Sequence, residues 1–130
     1  MRNEIGSTLP MFAALTFTSF LLIALVAELA LLGVRYRTVA GAADAAAESG
    51  ASMLSVADAY ASELALDHDV ATSEAKRVAN GLSGGDATVS ISGAVLCVTV
   101  SDVYRPATLL SVGVSAIDVT VQSCAEPRRG

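Results

Sequence analysis

The chain has 130 residues and a formal net charge of −5, from 13 acidic and 8 basic side chains. Its length is one domain's worth. Tryptophan is absent and no basic stripe occurs, so nucleic-acid binding has no electrostatic footprint. With a single His and two isolated Cys, the usual four-ligand zinc site cannot be built.

Residues 1–6, MRNEIG, make a short polar head or candidate leader, and an uncharged run follows from Ile5 to Ala27. Apolarity resumes after Glu28, from Leu29 to Val34. A membrane helix needs roughly 20 apolar residues, so residues 7–34 are expected to form one transmembrane span, with Pro10 in its first turn. A cleaved secretory signal fits worse. Its apolar core is usually about 7–15 residues, and here Arg35 and Arg37 stand before any Ala-x-Ala site such as Ala40–Ala42.

Residues 35–66 are expected to continue the helix outside the bilayer. The tract from Thr38 to Leu66 keeps good helix formers, and Val39, Ala43, Ala46, Gly50, Met53, Ala57, Tyr60 and Leu64 recur at a 4,3 spacing. A helix unbroken from Leu9 to Leu66 would be about 85 Å long at ~1.5 Å per residue. Small residues at Ala43, Ala46 and Gly50 would admit a partner helix closely. Leucine at those positions is therefore expected to impair assembly and to spare the head. Met53, Tyr60 and Leu64 suit burial beneath a small domain.

Residues 67–130 read as that head. Asp69 or Thr72 is expected to cap a second helix with Val70, Ala71, Ala75, Val78 and Leu82 on its apolar side, ended by Gly81 and SGGD. The segment ATVSISGAVLCVTVSD alternates about Ser92-Gly93, which predicts a β-hairpin. Val89 and Ile91 would then share a face with Leu96, Val98 and Val100. A third strand is expected around Ile117, Val119 and Val121. The fold class is thus α+β, a long N-terminal helix carrying a small head with a three-stranded, mainly antiparallel sheet. Such a head is marginal alone, so the Met53–Leu64 face would complete its core.

Beyond Arg37 the chain carries eleven acids against five bases, a net −6. Arg35 and Arg37 follow the span, and the positive-inside count puts the head in the cytoplasm. Cys97 and Cys124 have matching strand parity and could meet on adjacent strands. A disulfide there would argue for an extracytoplasmic head. Free thiols are the alternative.

Glu28 lies near the end of the span, where an ionisable group often marks a partner. It would contact a polar group or amine of another helix, or else reach headgroups or Arg35 at the interface. His68, between Asp67 and Asp69, reads as a solvated turn, because no nucleophile motif accompanies it. The serines lack G-x-S-x-G and S-x-x-K settings, and GLSGG lacks the Lys-Ser/Thr ending of a phosphate loop. No enzymatic activity and no cofactor are expected.

The ordered features Gly6, span, basic pair, AGAADAAAESGASML, SEAKRVANGL and a terminal β-segment with Cys resemble the TadE/TadG-like proteins of the tight-adherence (Flp) pilus apparatus. The short actinobacterial kind is the nearest in pattern. The resemblance covers most of the chain. It implies type IV pilin-like architecture, a single-pass protein of the cell membrane with its C-terminal head extracytoplasmic. The implied role is that of a minor pilin or pilus-assembly subunit. Its partners would be the lipid bilayer and other pilin subunits, in a hetero-oligomer. Gly6 and Ser7 would flank a prepilin processing site, although Met11 occupies the fifth mature position, where pilins usually carry Glu. Glu28, Val39, Ala43, Ala46, Gly50 and Met53 would then be helix-packing residues. A standalone membrane-anchored binding module that uses the head is the alternative function.

Overall fold

The computed structural model describes residues 8–53 and 67–127. Helix α1 runs Thr8–Ala51 and α2 runs His68–Ser83. Strands β1 (Asp86–Ser92), β2 (Val95–Tyr104) and β3 (Ile117–Ala125) form one antiparallel sheet in the order β1-β2-β3. A short 3-10 turn, Leu109–Val112, interrupts the β2–β3 connection. The class is α+β.

Helix α1 divides in two. From Thr8 to Ala27 its large side chains are exposed, among them Leu9, Phe12, Phe17, Phe20 and Ile23. The hydroxyls in this half turn back on the helix: Thr16, Thr18 and Ser19 donate to the carbonyls of Phe12, Ala14 and Leu15 at 2.8–2.9 Å. That local satisfaction lets polar side chains sit in an apolar helix at little cost. From Glu28 onward one face is covered. Leu32 packs against the core, and Val39, Ala42, Ala43, Ala46, Ala47, Gly50 and Ala51 are buried.

The helix stops at Ala51 and does not run unbroken to Leu66. Its last turn tightens, with Ser52 N–H donating to the carbonyls of Glu48 and Ser49 and Met53 N–H to Gly50. Tyr60 and Leu64 lie outside the described residues. The Asp67 amide donates back to the Met53 carbonyl, so the chain re-enters beside the place where it left. Helix α2 then turns back along α1. Asp67, rather than Asp69 or Thr72, caps it by accepting from Val70 N–H, and Gly84, with φ 66°, closes it.

The buried side of α2 is Ala71, Ala75 and Ala79, while Val70 and Leu82 are about half exposed. Both helices present small side chains to each other, and the contact shows what they permit. A Cβ added at Gly50 would stand 2.9 Å from Leu96 Cδ1, 3.0 Å from Ala75 Cβ and 3.1 Å from the Ala71 carbonyl oxygen. Among the described residues the core therefore draws on Val39–Ala51 of α1, with Met53 packed against it. Leu96, Val98, Val100 and Val119 cover it from the sheet.

The hairpin turn is Gly93-Ala94, one residue later than Ser92-Gly93, with Gly93 at φ 62°. Moving a two-residue turn by one changes the pairing by two. Ile91 faces Leu96 and Val89 faces Val98, so the expected face is kept. On the opposite, outer face Cys97 and Cys124 are direct register partners, 4.0 Å apart at Cα, and are joined by a disulfide.

Candidate functional site

Strand β2 crosses α1 in the opposite direction, and three contacts mark the crossing. Leu96 meets the helix at Gly50, Asp102 at Arg35 and Tyr104 at Glu28. The last two are polar because β2's inward face changes character along its length. Leu96, Val98, Val100, Asp102 and Tyr104 all share one strand parity. Seven residues separate Glu28 from Arg35, two helical turns, so both lie on one face of α1.

Glu28 is 5 % exposed and accepts four hydrogen bonds from the head. Its Oε1 accepts from the Tyr104 hydroxyl at 2.6 Å and from the Ala107 amide at 3.1 Å. Its Oε2 accepts from the Thr108 amide at 3.1 Å and from the Thr108 hydroxyl. Each oxygen thus faces one backbone N–H, a group that can only donate. A carboxylate, with acceptors on both oxygens, meets that demand. The amide of Gln does not, since one end of it donates. The two sequence-based readings of Glu28, a neighbouring helix or the Arg35 and headgroup region, both give way to this intrachain latch. Arg35 instead pairs with Asp102, a part-buried contact in which Asp102 is the more covered partner.

Tyr104's hydrogen bond to Glu28 raises its pKa above the ordinary 10.0, helped by burial and by the nearby negative charge. A second polar contact ties the helices together. Glu74 accepts from both Arg77 Nε (2.8 Å) and a terminal nitrogen (2.6 Å), and from Ser49 Oγ of α1 (3.1 Å). The Arg77 hydrogen bonds hold the Glu74 carboxyl below its usual range, with a further contribution from Ser49, and raise Arg77 in turn.

Val39, Ala43, Ala46 and Gly50 are helix-packing residues, but their partners are α2 and the sheet of the same chain. A second subunit's helix cannot reach them while the head is docked. Met53 is half-buried against the same core. Gly6 and Ser7 lie outside the described residues. His68 is the exposed first residue of α2. No group of three or more His, Cys, Asp or Glu side chains able to hold a metal occurs among the described residues.

Sequence reasoning singled out neither Tyr104, Thr108 nor Asp102. Parity held a usable signal, because Asp102 and Tyr104 fall on the apolar face of β2 and need polar partners there. Nothing local marks Ala107 or Thr108, whose amides are donated from 79 and 80 residues away.

The fold and its latch define a class: an α+β head pinned along the second half of a helix whose first half is long and apolar enough to cross a membrane. Neither the family models, nor the curated proteins, nor the solved structures compared with this chain give a match.

Proposed function

We propose that the chain is a membrane-anchored, minor pilin-like subunit of a tight-adherence (Flp, type IV-like) pilus. It acts in assembly as one member of a hetero-oligomer. The observation that carries this reading is the division of α1 at Glu28. About 30 Å of exposed apolar helix, Thr8–Ala27 at ~1.5 Å per residue, matches a bilayer's hydrocarbon core, and the head docks directly beyond it. That is the anchor-plus-head plan implied by the resemblance of AGAADAAAESGASML and SEAKRVANGL to TadE/TadG-like proteins.

An extracytoplasmic head accords with the Cys97–Cys124 disulfide. The positive-inside count of Arg35 and Arg37 opposes this orientation, so the disulfide and the resemblance carry it. Since the Val39–Gly50 face is occupied within the chain, lateral contacts fall to the sides of α1 that the head leaves exposed. Leu29, Leu31, Val34 and Tyr36 are all more than half exposed there.

Photo-crosslinking from Leu31 and Val34 in native membranes tests the reading. Capture of pilus subunits, identified by mass spectrometry, is the expected result. A chain that crosslinks to no pilus component and purifies with none overturns it. The occupied Val39–Gly50 face also favours a second reading, a standalone membrane-anchored binding module. That reading requires a stable monomer in detergent with no pilus partners.

A further inference from the structure

The crossing of β2 over α1 orients the head along the helix axis. The Gly93-Ala94 turn lies at the end nearest Gly50, and the β2–β3 connection lies at the end nearest Glu28. The Ala107 and Thr108 amides bond to Glu28, so these two residues sit level with the end of the exposed apolar half of α1, and the tight turn Leu109–Val114 follows directly.

The composition of this connection differs from the rest of the head. From Val103 to Ile117 no acidic residue occurs, and Arg105 is the sole charge. Val70, Leu82, Val103, Leu110 and Val114 are the large apolar side chains exposed on the head among its described residues. Two of these five, Leu110 and Val114, fall in the connection, and Leu110 is the most open at 61 %. In a head whose acidic residues all lie elsewhere, an acid-free, apolar edge next to the anchor is the arrangement expected of a surface that meets lipid. Apolar side chains there gain by entering the headgroup–acyl boundary, and a long basic side chain can remain among the phosphates.

We propose that residues 105–116 form a lipid-contacting edge of the head. Leu110 and Val114 rest in the interfacial layer of the bilayer that α1 crosses, and Arg105 lies among the headgroups. The proposal rests on α1 being a membrane span. Its partner is the bilayer surface beside the protein's own anchor. Glu28 fixes the depth, because the carboxylate that ends the apolar run holds the edge by two backbone amides.

The absence of tryptophan makes single-Trp variants of the full chain direct reporters. Leu110→Trp, Ala94→Trp and Phe20→Trp would be reconstituted in vesicles containing lipids brominated high on the acyl chain. Phe20→Trp should be quenched, and Leu110→Trp should be quenched and blue-shifted relative to Ala94→Trp, which should emit as in water. If Phe20→Trp is quenched while Leu110→Trp matches Ala94→Trp, the edge is wrong and the span stands. If Phe20→Trp escapes quenching, the span falls and takes the edge with it. Val114→Trp repeats the measurement from a second exposed position, so a misfolded Leu110 variant does not decide the outcome.

Discussion

The Glu28 carboxylate, at the end of an exposed apolar helix segment, accepts a 2.6 Å hydrogen bond from the hydroxyl of Tyr104, 76 residues further along the chain. Around it the Ala107 and Thr108 amides and the Thr108 hydroxyl complete a four-donor cradle. This contact fixes where on α1 the head sits, and therefore how much helix is left bare.

Glu28→Gln keeps the shape of the side chain and removes one acceptor end. Whichever way the amide turns, its NH2 faces either Ala107 N–H or Thr108 N–H. One of those two amides should exchange with solvent faster by roughly tenfold or more, the scale of a lost charge-assisted hydrogen bond. Hydrogen exchange read by NMR or mass spectrometry checks this. Unchanged protection of both amides would remove the latch. The β2–β3 pairing, which does not depend on Glu28, should keep its protection.

The same contact has a pH signature. The neutral phenol of Tyr104 is the donor, and folding raises its pKa above 10.0. Its contribution to stability is complete below pH 10.0 and is lost as pH rises through the higher folded value. Denaturation midpoints measured from pH 8 upward, about two units either side of the phenol's ordinary titration, should show this alkaline loss. Tyr104→Phe should be less stable at neutral pH and should lack the part of the alkaline loss due to Tyr104.

Gly50→Ala places a methyl 2.9 Å from Leu96 Cδ1 and 3.1 Å from the Ala71 carbonyl oxygen. Overpacking of this kind costs about 1–3 kcal/mol, and the gain in helix propensity returns roughly 1 kcal/mol. A net loss of stability is expected in chemical denaturation. Gly50→Leu should prevent α2 and the sheet from docking on α1. The sequence-based expectation that leucine here spares the head is thereby reversed, since the residue packs inside the chain.

Few large side chains fill the core. Leu96, Val39, Val98 and Val100 are the largest fully buried among the described residues. Each buried alanine methyl adds only ~0.8 kcal/mol. The Cys97–Cys124 bond, spanning 27 residues, contributes about 3–4 kcal/mol by loop-closure entropy. Reduction, or Cys97→Ala with Cys124→Ala, should lower stability by about that amount. Denaturation with and without reductant measures it. A membrane-impermeant thiol reagent, applied to intact cells after reduction, reports which side of the membrane the head occupies.

Properties set by short-range pattern were readable in the amino-acid sequence. The apolar run, the 4,3 recurrence of Val39, Ala43, Ala46 and Gly50, the shared parity of Cys97 and Cys124, and the alternating strands each depend on the repeat of a single element. A turn misplaced by one residue left the faces intact, because two-residue shifts preserve parity. The identity of each face's partner needed the tertiary structure. The helix break at Ser52 folds α2 back onto α1, so a small-residue face that would suit a second subunit is covered by the chain's own head. Glu28 finds donors 76 to 80 residues away, because β2 runs opposite to α1 and delivers Tyr104 and the following loop to it. Local sequence determines periodicity and polarity. Long-range strand and helix pairing decides which buried group satisfies which, and no window of sequence around Glu28 contains Thr108.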